Sequence, residues 1–199
     1  MKQSKALALA ATFVLLISSS VAAVAQETKT EEQMMEEAYM KYAMPDKNHE
    51  FLKKFAGTWE VESKMWIKPG TEPSVSNLTS EGKMILGGRY LYFVFKGTMM
   101  GQPFKGIQIV GYDKFEKKYR TFWIDNSSTP FFLTSGNLDE SGKVLTETGT
   151  WPDFMTSGTS KVKMVTKIVS DDKIIYEMYM IAPDGTEFKS MENTSTRKK

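Results

Sequence analysis

His49-Glu50-Phe51-Leu52-Lys53-Lys54-Phe55-Ala56-Gly57-Thr58-Trp59-Glu60-Val61-Glu62-Ser63-Lys64-Met65-Trp66 is the stretch that decides how the chain is read. A short amphipathic turn runs into Gly57-Thr58-Trp59, and a strand with period-two alternation follows. Trp59, Val61, Ser63 and Met65 fall on one face, and Glu60, Glu62, Lys64 and Trp66 on the other. A strand of that kind has one buried and one wet side, so it needs antiparallel partners that bury the same side.

Those partners follow downstream. Pro69-Gly70 with Pro73, Gly87-Gly88, Gly101-Gln102-Pro103, Asp113 to Lys118 and Asn126 to Pro130 punctuate the chain. Asp139-Glu140-Ser141-Gly142, Pro152 to Gly158, Asp171-Asp172 and Pro183-Asp184-Gly185 continue the series. Between them lie runs rich in Val, Ile, Thr, Phe, Tyr and Trp, predicting strands over 59–67, 75–86, 89–98, 103–112, 118–126, 130–138, 143–151, 159–169, 173–182 and 187–197. Ten short strands at even spacing, with no helix between them, read as an all-β antiparallel up-and-down barrel. Tyr90 to Phe95, Phe122-Trp123-Ile124 and Phe131-Phe132-Leu133 are apolar on both faces, so their outer side calls for a cover.

The chain of 199 residues divides into a leader, an arm and one barrel domain over 46–199. Lys2 and Lys5 precede an apolar run from Ala6 to Ile17, and Ala23-Val24-Ala25 is a small-x-small cleavage site. Residues 1–25 are therefore expected to be a signal peptide, giving export to the periplasm or beyond and no membrane span after cleavage. Residues 26–45 form an arm with a short helix, since Met35, Ala38 or Tyr39, and Tyr42 recur at helical spacing until Pro45-Asp46 stops it. That helix is expected on the barrel wall, or as an arm for a partner.

Without Lys2 and Lys5, 24 basic residues face 24 acidic ones, and no basic stripe interleaves with aromatics. A nucleic-acid partner is not expected. The chain has no cysteine, so its stability rests on the core alone.

Gly57-x-Trp59 at the head of the first strand resembles the opening of the calycin barrels, the lipocalins and fatty-acid-binding proteins among them. The resemblance implies that Trp59 closes the narrow end of the barrel beneath a basic residue of the last strand, where Arg197 stands. Arg197 shares parity with Glu187 and Lys189 rather than Phe188, which a bulge would resolve. Further blocks extend the likeness: His49-Glu50-Phe51-Leu52, Met65-Trp66 with Pro69-Gly70, Gly87-Gly88-Arg89, Gly97 to Phe104, and Gly111-Tyr112-Asp113. Lys118-Tyr119, Trp123-Ile124-Asp125, Ser128-Thr129, Pro183-Asp184-Gly185 and Thr196-Arg197-Lys198 complete it. In this order they are similar to the bacterial domain-of-unknown-function family numbered 1579, over roughly residues 46–198. That resemblance implies a calycin-like barrel, often exported, with no assigned reaction. Trp151 to Gly158 departs from the family's usual Pro-rich segment.

His49 is the only histidine. A haem barrel of the nitrobindin kind would use a late histidine, and Lys53 stands where a zinc-protease motif needs its second His. No cofactor or metal is expected, and His49 reads as a helix-turn cap on the barrel floor. Asp125 shares a face with Trp123, and a carboxylate there needs a partner or a raised pKa. Arg89, opening an apolar strand, is the candidate partner, with Glu81 and Glu147 as weaker mid-strand candidates of the same kind. The expected cavity is bounded by Tyr112, Trp123, Tyr176 and Met178, with Arg89 and Asp125 as its polar contacts.

Three functions compete. A module binding a small apolar or amphipathic molecule stands first, and a structural or interaction barrel that forms a homodimer through its outer apolar face stands second. An acid–base enzyme of isomerase or cyclase type stands third, because it needs two convergent titratable groups and only Arg89 with Asp125 suggests them. No catalytic residue is assigned.

Overall fold

The computed structural model describes residues 29–153 and 157–199, so the leader lies outside the described residues. Two helices, α1 (Glu31–Ala43) and α2 (Lys47–Lys53), precede ten strands. These are β1 (Gly57–Met65), β2 (Ser74–Ile85), β3 (Tyr90–Met99), β4 (Gln102–Asp113), β5 (Lys118–Asp125), β6 (Phe132–Leu138), β7 (Val144–Asp153), β8 (Gly158–Ser170), β9 (Lys173–Ile181) and β10 (Glu187–Arg197). Each strand pairs with its sequence neighbours, and β10 returns to β1 to close the barrel. The observed strands match the ten expected ones closely.

Tight turns let so short a chain close. Between β3 and β4, Met99 faces Gln102 across a two-residue turn. Met100 and Gly101 both have positive φ there, 50° and 76°, the backbone hand that suits the twist of a hairpin. The turn thus falls one residue before the expected Gly101-Gln102-Pro103, and Pro103 lies inside β4.

Alternation sorts β1 as read: Trp59, Val61 and Ser63 are buried, while Glu60 and Glu62 are exposed. A ten-stranded barrel is wider than its own side chains can fill, and α2 makes up the deficit at one end. Asp46 caps α2 by accepting from the backbone N–H of Asn48 at 2.9 Å. His49, buried, sets its Nδ1 3.0 Å from the Asp46 backbone nitrogen, completing the cap. Phe51, Leu52 and Phe55 then enter the barrel and pack with Trp59, Leu91, Phe93 and Tyr119 in the main core.

Trp59 is 1% exposed, and its indole N–H donates to the Phe55 carbonyl at 3.0 Å. Arg197 faces it directly across β1 and β10, with its guanidinium carbon 4.1 Å from the ring centroid. The same guanidinium donates to the carbonyls of Ala56 (2.7 Å), Lys54 (2.9 Å) and Asp171 (3.0 Å). The bulge its parity requires is present. The β9–β10 register shifts between Lys189 and Met191, which turns Met191, Asn193 and Ser195 inward ahead of Arg197.

Helix α1 does not lie on the barrel wall. None of its residues is buried, and Met35 and Tyr39 are each 69% exposed. Met44 is extended at φ −91° and ψ 136°, as favoured before a proline, and this separates the direction of α1 from that of α2. The arm is tied down at its C-terminal end, where Ala43 and Met44 offer their carbonyls to Arg89 and Lys114. The outer face therefore keeps its apolar register rows, Val94–Ile107–Ile124 and Tyr92–Ile109–Phe122–Leu133, without α1 above them.

Removing Trp59 would take out the largest fully buried side chain, strip Arg197 of its ring and open the floor. Trp59→Ala is expected to cost about 3–5 kcal/mol. Urea unfolding of the variant beside the parent checks this, and a loss under about 1 kcal/mol would contradict the packing described.

Candidate functional site

Above the plug the interior is hollow. A cavity of about 240 Å³ reaches from the core residues over α2 to the other end of the barrel, where exposed Ser127 forms part of its wall. One side is aromatic: Trp123 stands 5.3 Å from Phe95, tilted edgewise, and 6.3 Å from Phe104, stacked. Gly106 makes room for this arrangement, since a Cβ there would sit 2.4 Å from the Trp123 ring. Beside it, Phe132 is the register partner of Trp123 and Trp151 stacks on Phe132 at 3.7 Å, while Met164, Met178 and Met191 contribute thioethers.

Asp125 is at the outer end and holds Trp123 in place. The indole Nε1 donates to Asp125 Oδ2 at 2.8 Å, while the backbone N–H groups of Ser127 and Ser128 donate to Oδ1 at 2.9 and 3.1 Å. Burial pushes this carboxyl up, but the bonds from Ser127, Trp123 and Ser128 outweigh it and hold the pKa below the usual value. Its partners are thus N–H and O–H donors rather than a cation.

Arg89 is not among them. It lies just before β3, at the α2 end, where Nε and Nη2 donate to the Ala43 carbonyl at 3.0 and 2.6 Å. The register explains why. Tyr90 pairs with Gly111 and Gly111 with Arg120, so Asp125 is five residues further along β5, roughly 17 Å away at strand rise. The expected Arg89–Asp125 pair at one mouth is corrected: the two residues serve opposite ends. Tyr112 also falls outside the cavity. By parity it points inward, but beneath the plug, 4.9 Å from the Tyr119 ring and 5.9 Å from His49. Trp123, Asp125, Tyr176 and Met178 do line the cavity together.

The polar groups of the interior form a belt that the sequence reading largely missed. Ser63, Asn193, Tyr176 and Thr166 are successive partners across β1, β10, β9 and β8, and all four line the cavity. Glu147 adjoins them from β7 and is only 4% exposed. Thr121 donates to its Oε2 at 3.1 Å and Thr134 to its Oε1 at 3.3 Å. Burial pushes the Glu147 carboxyl up, and the two threonine hydroxyls only partly offset that. Burial also raises the Tyr176 phenol, with the Glu147 charge adding to it, so Tyr176 is a neutral hydroxyl. Asn193 Oδ1 is buried with no hydrogen-bond partner.

Glu81 and Glu147 are both mid-strand, and the structure separates them. Glu81 is exposed on the outside of β2, whereas Glu147 shares inward parity with buried Leu145. That parity was readable, since Leu145-Thr146-Glu147 alternates as the first strand does.

A family model described as "Protein of unknown function (DUF1579)" matches residues 44–197. No curated protein matches the chain. Among solved structures, an S-type phycobiliprotein lyase from Guillardia theta superposes with a TM-score of 0.56 at 10% identity, over 80% of this chain and 96% of the lyase. A de novo fluorescence-activating β-barrel gives 0.42 at 14% identity, over 74% and 96% of the two chains. A redesigned barrel bound to DFHBI gives 0.41 at 15% identity, over 72% and 99%. The lyase shows a shared fold.

The state of Glu147 has a measurable consequence. A carboxyl whose pKa the fold raises keeps its proton to a higher pH than the unfolded chain, which loses it above about pH 4.3, so stability falls as pH rises from there through the folded pKa. Glu147→Gln keeps the shape and removes the ionisation. In urea unfolding the variant should gain on the parent as pH rises above the ordinary carboxylate pKa of about 4.3. A difference that stays constant with pH would show that Glu147 titrates as in an unfolded chain.

Proposed function

We infer that this chain, which belongs to the DUF1579 family, binds a small, mainly apolar molecule inside its barrel, as an exported protein freed of residues 1–25. The observation that carries the reading is the cavity itself: about 240 Å³, walled by Phe95, Phe104, Trp123 and Trp151, with a few polar groups gathered on one belt. Sites for small molecules combine an apolar wall with a small number of fixed polar groups, and aromatic rings and thioethers suit a flat or flexible ligand. Trp123, Asp125, Tyr176 and Met178 are its proposed contacts, with Asp125 acting by fixing the Trp123 ring. Arg89 and Tyr112 have no part in it.

An acid–base enzyme loses its support, because the pair proposed for it is split between the two ends. A second reading keeps one specific observation: Phe131 and Leu133 are 72% and 63% exposed beside the outer apolar rows. That face suits self-association, which sedimentation over a range of concentrations tests.

The ligand reading is tested by native mass spectrometry of protein purified without detergent, and by tryptophan fluorescence on titration with an apolar probe. Trp123→Phe and Asp125→Ala are both expected to weaken the probe's binding while the protein stays folded. Equal binding to parent and both variants would move the site to the outer face.

A further inference from the structure

The interior is acidic and has no counterion. Among the described residues, Asp125 and Glu147 are the cavity's acidic groups, and no Lys, Arg or His lines it. Asp125 is satisfied by hydrogen-bond donors at the outer end. Glu147 is different, because two threonine hydroxyls at 3.1 and 3.3 Å are its bonds, and a carboxylate offers about four acceptor positions. Ionising Glu147 would leave a buried charge without a partner, which is costly. Nothing within the barrel wall supplies the pair.

The belt that Glu147 adjoins also offers acceptors. Asn193 Oδ1 is buried without a donor, and Tyr176 and Thr166 present hydroxyls on the same belt. We propose that the ligand, on the interior-binding reading above, is an amine: its protonated nitrogen sits on Glu147 with Asn193 and Tyr176 around it, and its apolar body fills the space towards Trp123. A protonated nitrogen supplies both the missing positive charge and several donors, and charge-assisted bonds are the stronger kind. The aromatic walls tolerate a cation, since ring faces attract one. A fatty acid or other carboxylate meets the reverse. It would bring a negative charge beside an acidic group with no cation to hold it, so the cavity disfavours carboxylates.

The test uses the full chain and three molecules of one shape: 4-phenylbutylamine, 4-phenylbutan-1-ol and 4-phenylbutanoate, titrated calorimetrically at neutral pH. The amine is expected to bind at least about tenfold more tightly than the alcohol, the scale of one charge-assisted bond, and the carboxylate more weakly than either. Glu147→Gln should bring the amine down to the level of the alcohol. An amine no tighter than the alcohol in the parent protein overturns the proposal while leaving interior binding intact. Failure of all three to bind overturns both. An amine preference that survives in Glu147→Gln but is lost in Asp125→Asn assigns the cation to the outer end and overturns the placement on Glu147. The parent ranking decides the ligand class even where a variant folds poorly.

Discussion

The guanidinium of Arg197 lying 4.1 Å over the Trp59 ring is the contact on which the rest of the molecule depends. It joins the first strand to the last at Trp59↔Arg197 and ties both to the carbonyls of Lys54 and Ala56 at the end of the α2 segment. One cation therefore seals the seam, caps the plug and covers the floor. An open ten-stranded sheet would present two long unpaired edges, which natural proteins avoid, and it would have no interior. Burying Phe51, Leu52 and Phe55 stabilises the sealed end by about 1.5–3 kcal/mol each.

The barrel divides its interior between stability and space. At the α2 end the core is packed with aromatic and aliphatic groups. At the other end the same strands alternate serine, threonine and asparagine with methionine and tryptophan, and the wall does not fill. Glu147 lies where the two regimes meet. Its burial with two hydroxyl partners is unfavourable for a charged group, and a strand position that carried Leu, like Leu145 two residues before, would pack at no such cost. A costly buried carboxyl facing a cavity is the pattern of a functional site.

Much of this was legible in the chain. Period-two alternation and turn chemistry located ten strands, and the end of each strand follows from its Gly, Pro or Asp punctuation. Trp59 and Arg197 were found through a resemblance, and the conflict in the parity of Arg197 pointed to a bulge that the register shift at Lys189/Met191 supplies. Trp123, Asp125, Tyr176 and Met178 each face inward by parity, which is a local property. Glu147 carries the same inward parity in Leu145-Thr146-Glu147, which sets it apart from the outward Glu81.

The sequence by itself determined which side of each strand faces in, because neighbouring side chains on a strand alternate faces whatever surrounds them. Only the tertiary structure decided which inward groups meet. Arg89 and Asp125 looked like a pair from their chemistry, but antiparallel register carries them to opposite ends. Tyr112 faces inward yet lies beneath α2, because the depth of the plug is set by how Phe51, Leu52 and Phe55 pack with the strands around them. The belt of Ser63, Asn193, Tyr176 and Thr166 is assembled from four strands, and no local pattern marks it. Alternation is a property of consecutive residues, whereas register, closure and plug depth are set by contacts between distant ones.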